Sequence, residues 1–228
     1  MSKINELLGD WSMALAPIVQ SEYFAKIGHF LKQDMFCTRV LFPEKEDMFK
    51  AFKLCPPANL KVVILGVEPQ QDGTANGLAW SNKNLLKVSD ELNIILKEVE
   101  NDIYGGLNLD QDVDLARWAE QGVLLLNVAL TAEKRQYGAH TKMWKKFIVE
   151  VISITSKNKA GVIYVLWGDL AKHYKQYIDE DTNFILESDF PDKRSKFLGN
   201  QHFSKINMIL REVAKGKGLE EDSLAIKW

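Results

Sequence analysis

The sequence predicts an α/β fold, a three-layer α/β/α sandwich with a central four-stranded parallel sheet, and three observations predict it. Four short apolar runs, at residues 61–66 (KVVILG), 123–127 (VLLLN), 162–168 (VIYVLWG) and 184–186 (FIL), carry many β-branched side chains and few polar ones. Runs of that length without alternation suit strands buried on both faces of a parallel sheet. Between them lie segments of helical spacing, so strand and helix alternate as parallel strands joined by crossover helices require. The third observation is size. At 228 residues, 46% of them apolar, the chain can bury the core of one large domain, and no repeat, low-complexity tract or Gly/Ser linker divides it. Residues 1–228 therefore read as a single domain.

Taken in order, residues 11–52 read as mostly helical, and residues 61–66 form the first strand. A helix over 89–101 follows, opened by Ser89 as an N-cap whose hydroxyl accepts an orphan backbone N–H. A helix over 112–121 leads into the second strand, 123–127, and a helix over 142–156 into the third. A helix over 170–178 precedes the fourth strand, and a helix over 202–215 follows it. In such folds the ligand sits beyond the carboxyl ends of the strands. That rule points to the loops at 67–81, 127–138, from 168 onward, and 187–199. The first is the longest and least regular, the kind of loop that carries function.

Composition narrows the function classes. A net charge of −2 and a pI near 6.1 give no overall push toward nucleic acid, but the charges are unevenly spread. Residues 89–120 hold nine acids against two bases, and residues 131–159 hold seven bases against two acids. Further bases follow at Lys193, Arg194, Lys196, Lys205, Arg211, Lys215 and Lys217. These stretches read either as solvated helix faces or as a one-sided basic surface. No run approaches the roughly 18 apolar residues of a membrane span, and the opening MSKINELLGDWS lacks the layout of a secretory signal. The expectation is a soluble, intracellular, cytoplasmic protein with no membrane partner. Cys37 and Cys55 are too few for a disulfide framework and match no zinc spacing. Two reduced thiols are expected, with no metal and no other cofactor.

Five blocks, spread over about residues 43–210, carry a family resemblance. LKVVILG followed by VEPQQ is similar to a family pattern KVVILGQDPYH, and NGLAWS to HGLAFS. GVLLLNVALT matches a second motif almost letter for letter, VLWGDLA is similar to an LLWG strand end, and HFSKIN matches a closing helix. In this order and spacing the chain resembles the uracil-DNA glycosylases, specifically the classical family. The resemblance implies an enzyme that flips a base from the duplex, reads its edge in a pocket, and hydrolyses its bond to deoxyribose through a cation-like sugar.

Carried over residue by residue, the resemblance puts Glu68 at the carboxylate that stabilises the cation and positions water. One more methylene than aspartate gives it about 1.5 Å of extra reach. Asn127 falls at the base-reading asparagine, Trp80 at the stacking phenylalanine, Gln70 at the thymine-excluding tyrosine and Gln71 at the histidine after it. Read without the resemblance, Glu68 is a surface-loop acid, Trp80 a core aromatic, and Asn127 a strand-end cap bonded to local backbone. Ser89 and Ser195 stand at phosphate-contacting serines, and Lys193 and Arg194 complete the candidate DNA-binding set, with Arg194 at the intercalating leucine. The departures concentrate in the fourth loop. Phe190 stands at the leaving-group histidine, Pro191 at its proline and Asp192 at a phosphate-binding serine, while Asp169 stands at the serine of the WGS turn.

Three functions stay open. The first is a DNA glycosylase retuned toward a 5-modified pyrimidine, with little ordinary uracil excision. The second is a catalytically inactive DNA-binding or protein-binding accessory factor. The third is a nucleotide or small-molecule hydrolase on the same scaffold. DNA is the expected partner, with a possible protein partner in replication or repair, and the chain is expected to act as a monomer.

Overall fold

The structure, a computed structural model, describes residues 3–36, 39–83, 87–107 and 112–228, so Cys37 lies outside the described residues. Among the described residues six strands occur in chain order: β1 (Leu41–Phe42), β2 (Val62–Gly66), β3 (Val123–Asn127), β4 (Ala132–Glu133), β5 (Ile163–Trp167) and β6 (Phe184–Ser188). Four of them form a parallel sheet in the order β3-β2-β5-β6. Every residue of β2, β3 and β5 is buried, as expected for strands covered on both faces. β6 corrects the expectation: β3 and β6 are the two edges of the sheet, and while β3 is fully buried, Phe184 and Glu187 of β6 are exposed. Its apolar run is too short to show whether the strand is covered on both faces. A small antiparallel pair, β1 with β4, also forms, without any signal in the apolar pattern.

The order of the strands dictates where the helices lie. Passing from β2 to β3 moves one way across the sheet, and passing from β3 to β5 and on to β6 moves the other way. Right-handed crossovers then place the Asp90–Tyr104 helix on one face and the Thr141–Asn158 helix on the opposite one. Contacts between elements agree: the His202–Gly216 helix packs on Asp90–Tyr104, and the Glu22–Phe36 helix packs on Thr141–Asn158. Each face has an aromatic centre. Trp118, Phe203 and Trp228 meet with ring centroids 4.9–5.8 Å apart on the first, and Phe49, Phe52, Trp144 and Phe147 meet at 5.7–6.3 Å on the second. Each such fully buried aromatic or aliphatic side chain contributes about 1.5–3 kcal/mol relative to exposure.

Helix ends are shorter or later than the periodicity suggests. The expected helix over 112–121 is helical only at Ala116–Glu120, because Asp112 and Asp114 cap the turn before it by accepting from Asp114 N and Ala116 N. The expected helix over 170–178 is a four-residue helix, Asp169–Lys172, continued as a 3₁₀ turn. The acidic stretch is not simply solvated. Glu98, fully buried, accepts from Gly199 N (2.6 Å) and Gln201 N (2.9 Å), and Asp102 accepts from Ser204 N (2.8 Å). Two acids on the Asp90–Tyr104 helix thus satisfy backbone N–H groups on the approach to, and in the first turn of, the His202–Gly216 helix. Among the described residues no helix is long and apolar enough to cross a membrane.

Candidate active site

β2 and β3 run in a register that pairs Gly66 with Asn127 at their carboxyl ends. A β-carbon on Gly66 would stand 2.3 Å from Asn127 Oδ1 and 2.8 Å from the Ala79 β-carbon. Glycine at this position is therefore what leaves room for the Asn127 amide. The chain after each strand is tied back across the pair, with Val128 N donating to Gly66 O and Ala129 N to Val67 O, both at 3.0 Å. The amide is consequently fixed at the floor of a cleft of about 180 Å³, beside the carboxyl ends where the strand order reverses.

The cleft gathers Glu68, Gln70, Gln71, Trp80 and Asn127, residues distributed over two loops in the sequence. Phe190, Tyr137 and Glu91 complete its rim. Asn127 is 7% exposed, and among the described residues its amide makes no hydrogen bond, so the local backbone bonds of a strand-end cap are not formed. A largely buried amide facing a cleft with both donor and acceptor unused can take a complementary acceptor–donor edge.

Glu68 lines the same cleft. Its Oε1 accepts from Gln71 Nε2 at 3.0 Å and its Oε2 from Gly138 N at 2.9 Å. Burial pushes its carboxyl above the ordinary range, and the bonds from Gly138 and Gln71 act against that rise. Gln71 also presents an Oε1 that is shielded from solvent without a partner, as is Trp80 Nε1. Each such orphan costs about 1–3 kcal/mol, and both belong to residues lining one cleft.

Trp80 has φ +66°, a left-handed conformation that costs a non-glycine residue about 1–3 kcal/mol. Its ring is held there by Phe190 at 5.4 Å and Trp167 at 5.9 Å between centroids. Gly168, at φ +82°, lets the Phe190 ring approach the end of β5, since a β-carbon there would lie 3.0 Å from the Phe190 β-carbon. Trp167 in turn donates from Nε1 to Nδ1 of His202 at 3.0 Å. Burial, with the Lys205 charge, lowers the His202 pKa to about 4 against the opposing pull of Asp102, so the ring accepts as the neutral base.

The four candidate DNA-binding residues lie outside this cleft lining, each in its own setting. Ser89 caps its helix by accepting from Leu92 N at 3.1 Å. Lys193 pairs with Asp90 at 2.7 Å, with both side chains exposed. The Ser195 hydroxyl donates to Asp192 O at 2.8 Å, and Asp192 Oδ1 accepts from Arg194 N at 2.8 Å, so both residues close a turn. The Arg194 side chain is exposed. Sequence reasoning missed Tyr137 and Glu91. Tyr137 is 84% exposed at the cleft mouth, in a flagged loop, and Gly138 beside it donates to Glu68. Glu91 lies in the first turn after the Ser89 cap, where the acidic stretch concealed it among solvated neighbours.

A family model described as the Uracil DNA glycosylase superfamily matches residues 52–211. A uracil-DNA glycosylase of Campylobacter jejuni subsp. doylei is 36% identical over 217 residues, covering 93% of this chain and 92% of its own. One from Fusobacterium nucleatum subsp. nucleatum is 36% identical over 220 residues, covering 94% and 95%. The crystal structure of mimivirus uracil-DNA glycosylase superposes with a TM-score of 0.85 at 23% identity, over 97% of this chain and 89% of that one, a likeness of fold. With the match spanning all four sheet strands and the whole cleft, the chain belongs to the uracil DNA glycosylase superfamily.

Proposed function

We propose that this chain is a DNA glycosylase of the uracil-DNA glycosylase type, retuned toward a 5-modified pyrimidine and slow on ordinary uracil. It works as a single-domain monomer on DNA. The observation that carries the reading is the unpaired Asn127 amide at the floor of a cleft with room for one small heteroaromatic ring. The names of the 36%-identical relatives support the reaction class.

In this reading Asn127 accepts from the pyrimidine N–H and donates to an adjacent carbonyl, while the Trp80 ring offers a π-face. The bond between the sugar C1′ and the base nitrogen breaks, and its electron pair leaves with the base as an anion. Ionised Glu68 faces the developing sugar cation. A water oxygen then bonds C1′, and its proton passes to Glu68 and on to the departing base. Phe190 offers that base no hydrogen-bond donor, which makes ordinary uracil a poor substrate. Gln70 leaves room, or a hydrogen bond, for a 5-substituent.

A second reading, an inactive DNA- or protein-binding accessory factor, is favoured by two observations. Both Glu68 oxygens are already bonded, and a hydrocarbon ring occupies the Phe190 position. One assay separates the two. Oligonucleotides carrying uracil, thymine or 5-hydroxymethyluracil are incubated with the protein and probed for alkali-labile abasic sites. The glycosylase reading expects cleavage at a 5-modified base and about a 5- to 150-fold loss of base binding in Asn127→Ala, from partners left unpaired at about 1–3 kcal/mol. Binding without abasic sites on any base selects the accessory factor.

A further inference from the structure

A second concavity, of about 400 Å³, opens at the other end of the sheet, where the chain enters β2 and β5. Its lining brings together Lys61, Lys159 and Lys217 with the neutral polar residues Asn59, Gln121 and Ser223. Glu120 is the one acid among the described lining residues. None of the three lysines forms an ion pair among the described residues.

Two of the lysines are built into the frame. Lys61 N donates to Gly122 O at 2.9 Å and Lys61 O accepts from Ile163 N at 3.0 Å, so its backbone is pinned beside the entries to β3 and β5. The Lys159 ammonium donates to Ala58 O at 2.8 Å and Pro57 O at 3.2 Å, which orients it and leaves one N–H unused. Cys55, buried nearby, supplies no counter-charge: burial pushes its thiol up to about 12, so it stays neutral. Burial also lowers the pKa of Lys61 and of Lys159, and repulsion by Lys217 lowers Lys159 further. Like charges held together in a concave site, none of them ion-paired, are stabilised by an anion that enters between them.

We infer that this cleft binds a phosphate-bearing anion, held by Lys61, Lys159 and Lys217 at the end of the sheet remote from Asn127. A phosphate dianion answers three ammonium groups better than a single carboxylate, and the Asn59 amide beside them can donate to its oxygens, whereas Gln121 Nε2 already donates to Arg117 O and Lys227 O and Ser223 Oγ to Glu220 O. The volume fits a small molecule such as a mononucleotide as well as free phosphate.

Thermal unfolding of the whole chain at matched ionic strength tests this, with inorganic phosphate, a nucleoside 5′-monophosphate and the same nucleoside without phosphate against sodium chloride. Phosphate should raise the Tm of the wild type and, equally, of Asn127→Ala, which separates this site from the base cleft. Lys217→Gln, an exposed change outside any ion pair, should raise the half-saturating concentration about tenfold, the loss of one charge-assisted contact; Lys159→Gln should do the same. Tighter binding of the monophosphate than of phosphate supports a nucleotide ligand, and equal binding supports free phosphate. No Tm rise beyond chloride, an unchanged half-saturation in Lys217→Gln, or equal stabilisation by the unphosphorylated nucleoside overturns the inference.

Discussion

The two walls of the cleft are built on different foundations. Asn127, on the inner wall, ends β3, an edge strand whose five residues are nonetheless all buried, and its amide is placed by the Gly66–Asn127 register and by bonds across the strand pair. Phe190, on the outer wall, follows β6, the opposite edge strand, which is only partly covered, and is held by side-chain packing on Trp80 and Gly168. On the inner wall a shift of one residue would misplace the sheet, so a reading group there is tied to the core. On the outer wall a side chain can be exchanged without disturbing a ladder. In the proposed function, that contrast lets a site keep the amide that reads a base while the group facing its departure is a hydrocarbon.

The largest expected effect comes from rebuilding the outer wall. Phe190→His together with Glu68→Asp should raise uracil excision by about 10²- to 10³-fold, the usual worth of one preorganised donor to a developing anion. Histidine is smaller than phenylalanine, so the space beside Gly168 accepts it. Single-turnover release of uracil from single strands would measure the gain. No gain would mean that the backbone of the 189–199 loop, and not only its side chains, differs from an excising site, and the contrast between the walls would then be one of geometry.

The next effect lies behind the outer wall. Neutral His202 accepts from Trp167, the tryptophan that backs Trp80. Its pKa is about 4 in the folded chain and near 6.5 when unfolded. Between those values the unfolded chain binds more protons, so stability falls as pH drops from about 6.5 to about 4 and levels off below. The loss is at most about 3 kcal/mol. Urea unfolding at stepped pH should show this slope in the wild type and a flatter one in His202→Gln. Equal slopes would remove His202 from the pH response.

Much of the inner wall was legible in the sequence because it rests on short-range patterns. VVILG and VLLLN announce buried strands, and the ends of those strands name Gly66 and Asn127. The outer wall was less legible. FIL reads as a strand, but whether an edge strand is covered, as β3 is, or partly exposed, as β6 is, depends on what packs over it, which a three-residue run does not encode. Glu98 was counted among surface acids, because spacing does not reveal that its two oxygens serve the next helix. Tyr137 lay in a flagged loop without periodicity, and only the bond from Gly138 to Glu68 draws that loop to the cleft.

The smallest expected effect concerns the rim. Asp169 and Asp192 are exposed, and the resemblance sets them where serines would meet phosphates. Serine at 192 retains an oxygen to accept from Arg194 N, so the turn should persist. An exposed charge is worth about 0.2–1 kcal/mol, so replacing both aspartates by serine should tighten binding to a single strand by a few-fold to about tenfold. The gain should be largest near 50 mM salt and shrink toward 200 mM, as screening shortens the reach of each charge. Asn127→Ala, in contrast, should weaken binding of a flipped base by a similar factor at every salt concentration, because an amide contact carries no net charge. Fluorescence anisotropy across the salt series distinguishes the two walls. Parallel curves for the double serine variant and the wild type would show that the rim does not face phosphates and would favour a protein partner there.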